Sequence, residues 1–134
     1  MSCPDCDAPL VSFVVPSELR EYAPTTMETL AICTRCLTLH PPTASSTATE
    51  EASDFSRISN AFPTGEAAVP MALALGLLES LALNRSEIEH LIERVERAGA
   101  DPLSFLGELD RQGSVDPEWD IDRRRHQLEQ FLGG

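Results

Sequence analysis

Cys3-Pro4-Asp5-Cys6 and Cys33-Thr34-Arg35-Cys36 hold all four cysteines of the chain, as two C-x-x-C pairs with 26 residues between them. Two residues between thiols make a tight turn that aims both sulfurs at one point, and a second such turn completes a tetrahedral S4 site. Zinc suits that site because it is borderline-soft, takes thiolates well and imposes no d-electron geometry. The spacing therefore predicts Zn2+ held by Cys3, Cys6, Cys33 and Cys36. Four thiolates leave no open coordination position, so the metal is expected to be structural.

Working outward from the pairs, Pro9-Leu10-Val11-Ser12-Phe13-Val14-Val15-Pro16 is β-branched and aromatic between prolines, which predicts a strand. Ser17 to Arg20 fits a short helical turn, and Tyr22-Ala23-Pro24 opens a loop. Thr29 to Ile32 predicts a second strand delivering Cys33, and Leu37 to His40 a third leaving the second pair. Two or three short strands bury too little surface to fold alone, and a bound metal supplies the missing stability.

Residues 1–40 resemble the zinc-ribbon superfamily, whose relatives include ribbons of transcription factors, polymerase subunits and ribosomal proteins. The whole chain resembles a group of small haloarchaeal zinc-ribbon proteins of uncharacterised function. The shared features are the Cys3-Pro4-Asp5-Cys6 start, the acidic composition and the helical tail. What this resemblance implies is a metal and a local fold, not an activity. Ribbon knuckles usually carry Gly after the second cysteine, where positive φ lets backbone N–H groups point at sulfur. Asp7 and Leu37 stand there instead. Asp tolerates that conformation and Leu does not, so the second knuckle is expected to be less regular.

The charge balance sets the setting. Against 22 Asp and Glu stand 10 basic residues, all Arg, for a formal net charge of −12. Abundant carboxylates, Ala and Thr without Lys suggest a halophilic proteome, in which net charge keeps proteins apart in molar salt. An acidic mesophilic protein from a GC-rich genome is the alternative. Phosphate would repel so acidic a chain in dilute buffer. In molar salt the Debye length shrinks to about 3 Å and the repulsion fades, so nucleic acid is disfavoured but stays possible. The N-terminus lacks a basic and an apolar targeting region, and the apolar run Ala67 to Leu78 is too short for a bilayer. A cytoplasmic protein with no membrane partner is expected, its thiols serving metal rather than disulfides.

Residues 41–65 read as a Pro/Ser/Thr-rich acidic linker, interrupted at near-helical spacing by Phe55, Ile58 and Phe62. These three either dock onto a neighbour or ride on a mobile tether. Residues 66–134 read as a helical domain of about four helices. The first, Pro70 to Leu83, is apolar around most of its circumference, which implies burial by other helices or by a second copy. Ser86-Glu87-Ile88-Glu89 reads as a capping box opening the second, which Gly99 ends. Asp101-Pro102 opens a third, stopped at Gly113, and Asp116-Pro117 opens a fourth carrying Trp119, Ile121, Leu128 and Phe131. The fold class is therefore α+β, an N-terminal two- to three-stranded zinc ribbon followed by a small all-α bundle. On that division, loss of the metal unfolds the ribbon and leaves the helices.

No catalytic constellation stands out, and the chain is read as non-enzymatic. His40 lies four residues after Cys36, either a spare ligand or, with the shell already complete, an exposed or capping side chain. His90 sits among carboxylates and reads as solvated. Arg123-Arg124-Arg125, followed by His126, is the only basic run. It is either a phosphate or partner patch or plain helix electrostatics, positive residues late in a helix whose first turn carries Glu118, Asp120 and Asp122. Three functions follow. The favoured one is a protein-interaction module stapled by zinc, with an unidentified protein partner or self-association through the helices. Next comes a nucleic-acid-associated ribbon factor of transcription or translation. An iron or dithiol redox protein is weakest, since four grouped thiols leave no free pair.

Overall fold

Leu10–Val14 forms β1 and Thr29–Cys33 forms β2, antiparallel, with Val11 opposite Ile32, Phe13 opposite Leu30 and Leu10 opposite Cys33. Leu39–His40 forms the short β3, paired with Ile32 and Ala31 of β2, so the sheet order is β1-β2-β3. The computed structural model describes residues 3–4, 6–23, 28–41 and 55–133. Most of the linker expected over 41–65, from Pro42 through Asp54, lies outside the described residues, as does Pro24.

Alternation across the pleat gives this small sheet two different faces. Val11, Phe13, Leu30 and Ile32 turn to one side and join the main hydrophobic core. Leu10, Ala31 and Cys33 turn to the other, where they pack with Cys3 and Cys36. The sheet is thus a wall between an apolar core and a sulfur cluster.

The helical part begins with α1, Ala68–Leu77. Ala and Leu with no β-branched residue after Val69 favour helix, and Met71, Ala72, Leu73, Ala74 and Leu75 are all fully buried. Its own chain covers it: α2 packs along it, and Leu39 of β3 lies against Gly76. The helix is shorter than the expected Pro70 to Leu83, giving way to a 3-10 turn at Leu78–Ser80. The Asn84 amide donates to the carbonyl oxygens of Leu77 and Ser80, satisfying acceptors that the helix end leaves open.

That use of Asn84 also displaces the expected capping box. The second helix, α2, spans Arg85–Arg97, so Ser86 lies inside it, and Asn84 makes no side-chain cap bond. Ile88, Leu91, Ile92 and Val95 form the buried stripe as anticipated. The third helix, α3, Pro102–Gln112, follows its signals closely. Asp101 accepts from the N–H groups of Leu103 and Ser104, and Gly113 ends the helix at φ 67°.

The fourth helix, α4, spans Ile121–Gly133 and starts later than Asp116-Pro117 suggested. Residues 113–120 stay irregular because Asp116 N–H donates to the Arg35 carbonyl, while Val115 and Trp119 are buried. Asp120 caps the helix instead, accepting from Arg123 N–H.

The Phe55–Phe62 segment docks. Phe55 stacks on Phe62 at 4.7 Å, Phe13 of β1 lies 5.5 Å from Phe55, and Phe105 of α3 meets Phe62 edge-on at 4.9 Å. Four rings therefore join the sheet to α3, in a chain with five phenylalanines in all. One hydrophobic cluster runs from Val11 through Phe55 and α1 to Leu128.

Candidate metal centre

The two C-x-x-C turns are built alike. Cys3 N–H donates to Ala8 O and Asp7 N–H to Cys3 O; in the second turn Cys33 N–H donates to Thr38 O and Leu37 N–H to Cys33 O. Asp7 and Leu37 close their turns at φ 61° and 62°. The second knuckle is therefore as regular as the first, contrary to the expectation from its Leu. The cause is tertiary: Leu37 is 1 % exposed, and burying its side chain in the main core offsets a left-handed conformation that costs about 1–2 kcal/mol.

The four Sγ atoms of Cys3, Cys6, Cys33 and Cys36 lie within 4.8 Å of one another. Cys3 and Cys36 are 3.7 Å apart, Cys6 and Cys33 3.3 Å. Four thiolates at about 2.3 Å from one zinc stand about 3.8 Å apart, whereas a disulfide needs about 2.05 Å. The spacing suits one enclosed tetrahedral ion and no sulfur–sulfur bond.

Backbone N–H groups and polar side chains face the sulfurs. Arg35 and Cys36 N–H groups each reach Cys33 Sγ at 3.4 Å, Thr38 Oγ1 lies 3.2 Å from Cys36 Sγ, and His40 Nε2 3.4 Å from Cys3 Sγ. The Ala8 backbone hydrogen bond, helped by Cys33, lowers the Cys6 thiol to about 7. Burial pushes Cys33 up to about 12 against the pull of the Arg35 and Cys36 N–H groups, and burial likewise raises Cys36. A cation at the centre reverses that burial penalty by supplying the missing opposite charge. His40 is half-buried beside the cluster rather than turned away, a place its i+4 spacing from Cys36 hinted at. Thr38 carried no sequence signal of its own.

The other candidates separate from this centre. His90 is exposed, its Nδ1 donating to Ser86 O at 2.7 Å, and it is stacked at 5.3 Å on Tyr22. His126 faces Asp122 across 3.5 Å. Arg123, Arg124 and Arg125 occupy the first turns of α4, not its end, so the helix dipole does not favour them. Side-chain pairing holds two of them: Arg125 with Asp122 and Glu129, Arg124 with Gln127 and the Glu79 carbonyl. A cavity of about 820 Å3 beneath Leu19, Phe55, Phe62 and Val69 carries Arg94, paired with Glu18 at 3.6 Å. No helix among the described residues is long and apolar enough to cross a membrane.

No curated protein and no solved structure matches the chain. A family model described as a family of unknown function, DUF6276, matches residues 2–132. That match takes in both knuckles, the docked phenylalanine segment and all four helices, and the chain belongs to that family.

Proposed function

We propose that the chain is a non-enzymatic protein whose Cys3, Cys6, Cys33 and Cys36 hold one Zn2+ as the structural staple of a zinc ribbon. The helical part would serve as a protein-interaction module in a salt-rich cytoplasm. The observation that carries the metal reading is the convergence of four thiols from two matching knuckles, each turn closed by the same backbone bonds. Zinc is the ion that closed four-thiolate structural sites ordinarily hold, and iron, which the same ligand set accepts, is the alternative that the metal analysis separates. The interaction reading rests on the absence of a catalytic constellation in the sequence together with the acidic surface.

The test is elemental analysis of the purified full chain together with Co2+ substitution. One zinc per chain and the spectrum of tetrahedral thiolate cobalt are expected, both lost in Cys36→Ser. Iron, or no stoichiometric metal, would sink the zinc reading. For the partner, a tagged pull-down in molar KCl is split into nuclease-treated and untreated halves. Proteins retained after nuclease favour the interaction module; proteins lost with nucleic acid favour the ribbon-factor alternative.

A further inference from the structure

Where the α1–α2 turn meets α4, a pocket of about 360 Å3 is lined by Leu81, Ala82 and Arg85 on one side and by Arg124, Gln127, Gln130 and Phe131 of α4 on the other. It has no carboxylate in its wall, although the chain has 22 Asp and Glu. Both guanidiniums lack an ion-pair partner among the described residues, as do Arg35, Arg57 and Arg123, but these two stand together in one pocket. Arg85 lies 4.7 Å over the Phe131 ring, which holds it across the pocket. Arg124 is anchored by neutral acceptors alone, the Glu79 carbonyl at 3.0 Å and Gln127 Oε1 at 2.8 Å, and its Nε is buried without an acceptor. Arg85 opens α2, whose N-cap Asn84 supplies no side-chain bond, so the positive end of that helix lies on the same side.

We propose that this pocket binds a carboxylate carried on a compact apolar body. Arg85 offers a forked donor pair that matches a carboxylate, Arg124 adds its positive charge and the Nη hydrogens left over from Gln127 and the Glu79 carbonyl, and the Gln127 and Gln130 amides add neutral donors. Leu81, Ala82 and Phe131 cover the apolar part. A bare phosphate would leave that apolar wall unused. The same chemistry arises from a free organic acid or from a peptide C-terminus ending in an apolar residue. Neither source involves the metal centre.

The experiment titrates the full metal-loaded chain by NMR at constant total salt, replacing chloride with benzoate. A parallel arm uses acetyl-Gly-Gly-Leu with a free C-terminal carboxylate, and acetate serves as the anion without an apolar body. Expected are saturable shifts of the Phe131 ring and of the Arg85 and Arg124 Nε–H signals with benzoate or the peptide, and weaker binding of acetate. Which of the two binds tighter identifies the source. Arg85→Gln, at an exposed position, should weaken binding about tenfold, the size of one charge-assisted bond, with unchanged thermal unfolding. Arg124→Gln should do the same, and because it also loosens α4, it is read only beside Arg85→Gln. Linear, non-saturating shifts with both ligands, or equal binding by Arg85→Gln, would overturn the proposal.

Discussion

The backbone N–H of Asp116 donates to the carbonyl oxygen of Arg35 at 2.7 Å. Arg35 lies between Cys33 and Cys36, so the loop before α4 is fastened to the second knuckle. On the opposite side of the sheet, Val11, Phe13, Leu30 and Ile32 share one apolar cluster with α1, α2 and α3. The sulfur cluster and the helices are therefore joined through the sheet and through this loop bond. Stripping the metal with a chelator should then abolish one cooperative unfolding transition in which the sheet and the helices melt together. Helical circular dichroism that keeps its melting curve after chelation would show two independent units, as the composition alone suggested.

The two left-handed residues of the knuckles separate strain from burial. Asp7 is exposed, so Asp7→Gly relieves the backbone at no packing cost and should raise stability by up to about 1 kcal/mol. Leu37→Gly relieves the same strain but removes a buried side chain, and should lower stability by about 1–3 kcal/mol net. Thermal unfolding of both metal-loaded variants checks this. A stabilised Leu37→Gly would show that its side chain does not hold the turn.

Gly76 should resist the usual helix-stabilising exchange. Gly to Ala in a helix interior ordinarily gains up to about 1 kcal/mol. Here a Cβ would overlap Cγ and Cδ1 of Leu39, the β3 residue seated on α1. Gly76→Ala should therefore destabilise, since overpacking costs about 1–3 kcal/mol. In a double-mutant cycle, Leu39→Ala should cost less in the Gly76→Ala background than alone. Additive effects would mean that the two sites do not touch.

Asp101 makes a prediction about pH. Hydrogen bonds from Ser104, backbone first and hydroxyl second, hold its carboxyl below the usual 3.8. A depressed folded-state value means the stabilising charge is present above pH 3.8 and is lost as pH falls through the lower folded value. Asp101→Ala should cost about 1 kcal/mol at neutral pH, the ordinary worth of an N-cap. Its deficit relative to the parent chain should shrink in acid. A deficit independent of pH would assign the loss to packing instead.

What the sequence by itself determined is whatever short spacing and local chemistry encode. Two C-x-x-C pairs name the four thiols, the proline-bounded β-branched run names β1, the Thr29–Ile32 run entering Cys33 names β2, and Asp101-Pro102 with Gly113 brackets α3, because each signal acts within a few residues. Tertiary structure decided what depends on distant partners. Asp116 gave up a helix start because its N–H found Arg35, and that shift moved the arginine run into the first turns of α4. Leu37 accepts a left-handed backbone only because a core built from elsewhere in the chain receives its side chain. Backbone donors and apolar side chains settle with the partners that bury them best, and those partners lie far away along the chain.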